Sequence, residues 1–233
     1  MAAVPVQIEV VLFDLGGTLV DSRDFFGWAE DACALGLRTD PEAIAHAWTE
    51  SEPWVNHRED SPETLWREVL TRASTTEVSA ATVASFLTRQ ASKPIHGALF
   101  SDVRRCLARL RGSGKRLGIV SNSRSEPAVR ALVDRVGIGP YFESIVSSGT
   151  EGVRKPAPAI FNRALQRMRV DPRATLFVGD DPENDVRGPT GVGIHAVLLN
   201  RFGTGTDVGR PEILSLSEVP RIVRLIEAGA PVK

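Results

Sequence analysis

Two apolar segments of the chain each lead to acidic residues. Residues 10–13, VVLF, run directly into Asp14 and a turn rich in glycine. Residues 175–178, TLFV, run through a glycine into Asp180, and Asp185 follows where a helix would begin. Buried strands of this kind bring side chains to the carboxyl edge of an open α/β sheet, where such sheets bind ligands. We therefore expect the carboxylates of Asp14 and Asp180 to converge.

Several carboxylates in one crevice predict a metal site. They repel one another, and a hard divalent cation that prefers oxygen ligands relieves the repulsion. Mg²⁺ fits best, because it accepts one or two carboxylates and keeps sites for water and phosphate. Asp181 and Asp185 allow a second interpretation, since acidic residues also cap or stabilise the amino terminus of a helix. For Asp181 both interpretations stay open.

Two further segments offer partners for an anion. Ser121 and Asn122 bring a hydroxyl and backbone N–H groups to the end of another apolar strand, an arrangement suited to an anion. Lys155 stands before a helix whose start is fixed by prolines. Each has a simpler alternative, because Ser121 could cap a helix and Lys155 could be a solvated charge.

The second half of the chain alternates short apolar strands with amphipathic helices. The predicted strands are residues 117–120, 144–146, 175–178 and 194–198. Apolar residues recur at helical spacing over residues 103–110, 129–136, 160–168 and 219–226. This alternation implies parallel βαβ units with right-handed crossovers. The predicted fold class is α/β, a doubly wound parallel sheet.

A long segment after the first strand breaks this alternation. It contains all four tryptophans of the chain, and helix starts are indicated at residues 40–42, DPE, and 61–63, SPE. We predict a helical insertion whose tryptophans form its own core.

The insertion sets the predicted domain boundaries. Residues 1–20 and 95–233 would form the α/β domain, and residues 21–94 the α-helical domain. Residues 99–103 would return the chain to the sheet.

Composition excludes several classes of function. A formal net charge of −1 over 233 residues argues against a nucleic-acid partner bound through phosphate attraction. No apolar run approaches the roughly 20 residues that span a bilayer, and the first residues lack the pattern of a secretion signal. Cys33 and Cys106 have no metal-like spacing, so we expect a reduced, cytoplasmic protein. A monomer and a homodimer both remain open.

Four segments together resemble the motifs of the haloacid dehalogenase superfamily of aspartate-nucleophile hydrolases. They are residues 14–18 (DLGGT), 121–122 (SN), 155–156 (KP) and 179–185 (GDDPEND), in the order typical of that family. The helical insertion is similar to the small α-helical cap domain of that family in its position. The resemblance covers nearly the whole chain and implies a core of the same α/β type.

The resemblance implies a mechanism of phosphoryl transfer. Asp14 would attack phosphorus and become an aspartyl phosphate. Mg²⁺ would be held by the side chains of Asp14 and Asp180 and the carbonyl of Gly16, with Asp185 as a direct ligand or through water. Lys155 would neutralise both Asp14 and the phosphoryl group.

The implied residue sets extend beyond these. Ser121 would hydrogen-bond phosphate oxygens and joins Asp14 and Lys155 as a catalytic residue. The implied substrate-binding residues are Gly16, Gly17, Thr18, Ser121, Asn122 and Lys155.

Gly16 departs from the family pattern. Phosphatases of this family usually carry there a second aspartate that acts as general acid and base, and losing such a group typically costs roughly 10²–10⁴-fold in rate. Asp21, His57 and His96 are candidate substitutes, and none of them is assigned.

Three functions therefore stay in competition. The first is a Mg²⁺-dependent phosphatase acting on a small phosphorylated metabolite. The second is a 2-haloacid dehalogenase in which Asp14 attacks carbon, a reaction that needs no proton donor at Gly16. The third is a catalytically weak protein that keeps the fold and the metal site. The carboxylate cluster favours the phosphatase, because dehalogenation needs no metal and the carboxylates would repel a haloacid.

Overall fold

The computed structural model describes residues 6–21, 23–55, 62–93, 97–123, 125–201 and 211–231, without the side chains of residues 25, 26, 52–55 and 62. The chain divides into two compact units. The first comprises Met1–Ser22 and Gly97–Lys233, and the second comprises Arg23–His96.

The first unit contains all the strands of the described residues. They are β1 Val10–Phe13, β2 Val20–Asp21, β3 Ala98–Leu99, β4 Arg116–Ser121, β5 Phe142–Ser147, β6 Thr175–Gly179, β7 His195–Leu199 and β8 Glu212–Ile213. The α-helices within the described ranges are α1 Phe25–Ala34, α2 Pro41–Val55, α3 Pro62–Ala73, α4 Ala80–Ser92, α5 Val103–Gly112, α6 Glu126–Arg135, α7 Ser148–Glu151, α8 Pro158–Met168, α9 Gly188–Thr190 and α10 Val219–Glu227. A short π-helix, Pro182–Arg187, leads into α9.

Six strands form one parallel sheet in the order β5-β4-β1-β6-β7-β8. The central strand β1 is buried along its whole length and pairs with β4 and β6, so that Phe13 lies opposite Ile119 and Val178. All three strands therefore end at the same edge, immediately before Asp14, Asn122 and Asp180. The predicted doubly wound α/β fold is confirmed.

Helix α8 covers one part of the sheet. Its apolar residues recur at helical spacing and form one cluster with side chains of the strands. The cluster includes Val10, Leu12, Val120, Val146, Ile160, Phe161, Ala164, Leu165, Met168 and Phe177. Cys106 is buried in α5 beside Val103, Leu107 and Leu110, as the periodicity of that helix predicts.

The expected return of residues 99–103 to the main sheet is wrong. Ala98 and Leu99 instead pair antiparallel with Asp21 and Val20 in a separate two-stranded sheet. The chain then enters α5 at Val103, because Val103 belongs to the apolar face of that helix rather than to a strand.

The second unit is built from helices α1 to α4. Trp28, Trp48 and Trp66 contact one another with ring centroids 4.9–5.5 Å apart, and Phe86 lies 4.6 Å from Trp66. These rings belong to or pack against the unit's own buried core, as predicted for the tryptophans, while the side chain of Trp54 lies outside the described residues. The predicted helix start at Pro41 is confirmed, since Asp40 Oδ1 accepts from the N–H of Ala43 at 2.8 Å. Ser61 lies outside the described residues.

Among the described residues, every helix is too short or too polar to cross a lipid bilayer.

Close packing within the sheet gives a testable prediction at Gly118 of β4. A Cβ there would lie 2.8 Å from Leu12 Cδ2 and 3.3 Å from the carbonyl oxygen of Ser144. We expect Gly118→Ala to lower the free energy of unfolding by about 1–3 kcal/mol in urea titrations, because an added methyl group overpacks the core.

The matched control is Gly112→Ala, at the end of α5, where a Cβ meets no atom within 4 Å. That variant should keep or slightly raise stability, since alanine favours a helix over glycine by up to about 1 kcal/mol. Equal stability of Gly118→Ala and the parent protein would contradict the close packing.

Candidate active site

The acidic site lies at the carboxyl ends of β1 and β6. Asp14 is fixed beside β6 by its N–H, which donates to the carbonyl of Val178 at 2.9 Å. One carboxylate oxygen from each of Asp14, Asp180 and Asp185 lies within 4.8 Å of the others. The structure thus gathers residues that are far apart in the chain, because neighbouring parallel strands end at one edge.

Lys155 joins two of these carboxylates. Its Nζ donates to Asp14 Oδ1 and to Asp185 Oδ1, both at 2.6 Å. The lysine is only 2% exposed and its ammonium lies 5.4 Å from the ring centroid of Phe177. A buried ammonium in this position is held as part of the site and is not a solvated surface charge.

Negative charge exceeds positive charge in this cluster. Burial opposes the charged form of Lys155, but the carboxylates of Asp14 and Asp185 outweigh it and raise the pKa of the lysine. Burial, opposed in part by Lys155 and reinforced by Asp14, raises the pKa of Asp185 to about 7. The pKa of Asp180 is raised as well, by burial and then by the charges of Asp14 and Asp185.

The donor set fits a hard divalent cation. Carboxylate oxygens are the ligands that Mg²⁺ prefers, and a cation among them would relieve the repulsion that one lysine leaves unbalanced. Two of the carboxylates are also oriented by the protein. Thr18 Oγ1 donates to Asp180 Oδ1 at 3.1 Å, and the N–H of Asp181 donates to Asp185 Oδ2 at 3.2 Å.

Two glycines permit this close approach. Gly17 has φ +76°, and a Cβ on it would collide with the carboxylate of Asp180. A Cβ on Gly179 would collide with the side chain of Asp185. The glycine-rich turn therefore keeps space for the acidic side chains as well as bending the chain.

The side chains of three predicted substrate-binding residues form hydrogen bonds with other residues of this chain. Thr18 is fully buried and its hydroxyl orients Asp180. The amide of Asn122 accepts from the N–H of Lys155 at 2.8 Å and donates to its carbonyl at 3.1 Å, so Asn122 positions the lysine. Ser121, at the end of β4, shares a hydrogen bond of 2.7 Å with Ser123 Oγ.

The structure separates the two interpretations of the late acidic residues. Asp181 Oδ1 accepts from the N–H groups of Glu183 and Asn184 at 2.9 and 2.8 Å, and thus caps the π-helix segment. Among the described residues, the carboxylate cluster includes Asp185 and does not include Asp181. Sequence alone left this choice open because both are acidic residues near a helix start.

Sequence analysis missed two members of the site. Phe177 forms an apolar wall near the Lys155 ammonium, and Ser123 partners Ser121. Ser123 lies two residues beyond Ser121 at the same strand end, but a serine there could equally cap a helix, and Phe177 looked like any other core residue. Of the candidate proton donors, Asp21 lies in β2 opposite Ala98 of β3, whereas His57 and His96 lie outside the described residues.

Comparison with known proteins decides the family. The family model for haloacid dehalogenase-like hydrolases matches residues 8–193, which include the acidic site and Lys155. The chain belongs to the haloacid dehalogenase-like hydrolases.

Curated relatives of this hydrolase include named phosphatases. The chain is 32% identical over 198 residues to the glyceraldehyde 3-phosphate phosphatase of Pyrococcus abyssi, covering 82% of this chain and 81% of the relative. It is 30% identical over 211 residues to the phosphoglycolate phosphatase of Pseudomonas putida, covering 87% of this chain and 72% of the relative.

The solved structures that resemble this hydrolase include a dehalogenase. The 2-haloacid dehalogenase of Pseudomonas syringae matches with a TM-score of 0.60 and 27% identity, over 94% of this chain and 99% of that one. The scaffold is therefore shared by proteins named for two different reactions, and the choice between them depends on the site.

Crowding of the carboxylates gives a prediction on stability. We expect Asp180→Asn to raise the thermal midpoint of the metal-free protein, because it removes one of the repelling charges. A gain of about 1 kcal/mol would correspond to about 2–4 °C for a chain of this size. We also expect Mg²⁺ to raise the midpoint of the parent, and Asp180→Asn to lose most of that rise, as differential scanning fluorimetry would show.

Asp181→Asn is the matched control for that experiment. Asparagine caps a helix about as well as aspartate, so this variant should keep its response to Mg²⁺. Its midpoint should rise less than that of Asp180→Asn, because the charge of Asp181 is a minor cause of the raised pKa of Asp185. An undiminished Mg²⁺ response in Asp180→Asn would contradict the assignment of Asp180 to the metal.

Proposed function

We propose that the protein is a Mg²⁺-dependent phosphatase that hydrolyses a small phosphorylated metabolite through an aspartyl-phosphate intermediate on Asp14. The observation that carries the proposal is the convergence of Asp14, Asp180 and Asp185 around the buried ammonium of Lys155. The two curated relatives named as phosphatases support it.

Asp14 would act as the nucleophile: its carboxylate would bond to phosphorus while the ester P–O bond breaks, and the leaving oxygen would be protonated to give the alcohol. Water would then hydrolyse the aspartyl phosphate, which releases inorganic phosphate and regenerates Asp14. Lys155 binds its Oδ1, so the attack is assigned to Oδ2. An anionic carboxylate approaches a phosphate dianion only where cations offset the repulsion, and stabilisation of charge supplies most of the catalysis in phosphoryl transfer. Lys155 meets this need because its pKa is raised and it stays protonated.

The remaining site residues would hold the ion and the phosphate. Asp14, Asp180 and the carbonyl of Gly16 would be ligands of Mg²⁺, with Asp185 as a ligand or bound through water. When bound, the ion offsets negative charge on the phosphate oxygens. Ser121 would donate to those oxygens, and Thr18 and Asn122 would keep Asp180 and Lys155 in position.

The helical unit Arg23–His96 would serve as the cap domain that determines the substrate. Its four helices have a core of their own, so their surface residues can vary without disturbing the α/β unit. This division is typical of sites in which a rigid scaffold carries the chemistry and other segments carry specificity.

A 2-haloacid dehalogenase is the second candidate. Gly16 and the similarity to the Pseudomonas syringae structure favour it. The carboxylate cluster speaks against it, because displacement of halide from carbon needs no metal and the carboxylates would repel the substrate.

The nucleophile and the metal can be tested together. Asp14→Asn should lower the hydrolysis of p-nitrophenyl phosphate by roughly 10³-fold or more, since it removes the group that attacks phosphorus. Exhaustive removal of divalent ions with EDTA should abolish hydrolysis by the parent, and added Mg²⁺ should restore it.

Asp171→Asn serves as the control, because Asp171 only caps the 3₁₀ turn Pro172–Ala174. It should hydrolyse the ester at the parental rate. Activity that survives metal removal would refute the proposal, and release of halide from 2-chloropropionate without phosphatase activity would establish the dehalogenase instead.

Gly16 gives a prediction of increased turnover. We expect Gly16→Asp to raise kcat for alkyl phosphates, by up to about 10²-fold, because it supplies the general acid and base. Aryl phosphates should gain less, since their leaving groups need less protonation.

Gly17→Asp is the contrasting variant. The φ of +76° and the nearby Asp180 leave no room for a side chain, so hydrolysis should fall. If Gly16→Asp brings no gain on any phosphate ester, another residue of the chain already supplies the proton.

A further inference from the structure

Arg201 binds the main chain of the nucleophile loop from outside the site. It follows β7, and its Nη2 donates to the carbonyl of Thr18 at 2.7 Å. The hydroxyl of the same threonine donates to Asp180 Oδ1 at 3.1 Å. One residue therefore connects the guanidinium to a carboxylate of the proposed metal site.

Asp102 holds Arg201 in place. The two side chains form a double hydrogen bond, Nη1 to Oδ2 and Nη2 to Oδ1, both at 3.0 Å. Only 10% of the Arg201 side chain and 16% of the Asp102 side chain are exposed. The hydroxyl of Ser215 and the N–H of Leu216 also donate to Asp102, each at 2.8 Å.

The orientation of Asp102 differs from its local preference. It stands at the amino terminus of α5, where an aspartate commonly caps the helix, yet its side chain makes no capping hydrogen bond. Burial opposes its charged form, but Arg201, Ser215 and Leu216 outweigh it and lower its pKa. The carboxylate thus stays charged for Arg201.

Arg201 also contacts the strand that pairs with β2. Its guanidinium lies 4.0 Å from the ring centroid of Phe100, and the N–H of Phe100 donates to the carbonyl of Leu19 at 3.3 Å. Thr18 precedes β2 and Phe100 follows β3, so one side chain contacts both strands at the same end of their antiparallel pair.

We propose that Arg201, supported by Asp102, is a positioning residue that fixes Thr18 and thereby orients Asp180 for the metal. The inference rests on the proposed function. Gly16 and Gly17 leave the loop with more conformational freedom than any other pair of residues would, and an external hydrogen bond from a planar, fixed guanidinium restricts it. Partners of this kind typically change metal affinity or activity by about 10–100-fold when removed.

The test uses the full-length chain and Mg²⁺ itself. Arg201→Gln should weaken Mg²⁺ binding by about 10–100-fold in titration calorimetry, and lower kcat for p-nitrophenyl phosphate at fixed Mg²⁺ more than it changes KM. The double variant Arg201→Gln/Asp102→Asn should bind Mg²⁺ no more weakly than Arg201→Gln, because Asp102 acts through Arg201.

Lys115→Gln is the matched control. Lys115 also forms a part-buried ion pair, with Glu227 at 2.6 Å, and donates to the carbonyl of Ile8 at 2.7 Å. This pair braces the opposite end of β1. The variant should lower the thermal midpoint and leave Mg²⁺ affinity unchanged.

Arg201→Lys covers the case in which Arg201→Gln does not fold. A lysine keeps the positive charge but cannot bind Asp102 and Thr18 together in the fork of a guanidinium, so Mg²⁺ affinity should still fall. A folded Arg201→Gln with parental Mg²⁺ affinity would overturn the inference. Parental Mg²⁺ affinity in Arg201→Lys would also overturn it when Arg201→Gln does not fold. So would a loss of Mg²⁺ affinity in Lys115→Gln equal to the loss in the Arg201 variant.

The outcome is separable from that of the proposed function. A parent protein that binds Mg²⁺ and hydrolyses no phosphate ester would refute the phosphatase, while the series of Mg²⁺ affinities would still decide the role of Arg201. If the parent hydrolyses phosphate esters and Arg201→Gln keeps the parental Mg²⁺ affinity and kcat, only the inference about Arg201 is refuted.

Discussion

The electrostatic balance around Lys155 is the constraint on which the acidic site depends. Three carboxylates meet at the end of two neighbouring strands, and one buried ammonium opposes them. Burial, together with the charges of neighbouring carboxylates, raises the pKa values of Asp180 and Asp185. Such a cluster persists only where the surrounding backbone is rigid, because each carboxylate would otherwise move towards water.

The parallel sheet supplies that rigidity. The strand β1 is buried and paired on both sides, so Asp14 leaves a backbone that cannot shift without breaking hydrogen bonds to β4 and β6. Polar contacts then fix the side chains one by one, with Asn122 on Lys155, Thr18 on Asp180 and the N–H of Asp181 on Asp185. Most of these positioning groups are local to a strand end, where the chain has just left the sheet.

The periodicity of the sequence was enough to predict most of the helices beside the main sheet and all of its strands except the edge strand β8. The strands predicted at residues 117–120 and 175–178 fall inside β4 and β6. The prediction succeeds because a buried strand needs a short apolar run and a helix packed on the sheet needs one apolar face, and both patterns are visible in the sequence. The expectation for residues 99–103 was wrong because a two-residue strand carries too little pattern to show its partner. Asp181 and Asp185 could not be separated for a similar reason, since both suit a helix start.

The sequence by itself determined the α/β fold, the helical insertion and the family, together with the acidic and basic residues that reach one edge of the sheet. Those features are local, since they depend on the order and spacing of side chains along the chain. Only the tertiary structure decided which of those residues touch. The fold brings Asn122 to Lys155 and Asp102 to Arg201, and the residues of each pair are more than 30 positions apart in the chain. It also decides that Asp181 caps the π-helix, although the bonded residues there lie within four positions of each other. Hydrogen-bond partners are chosen by position in space, and sequence spacing does not encode that choice.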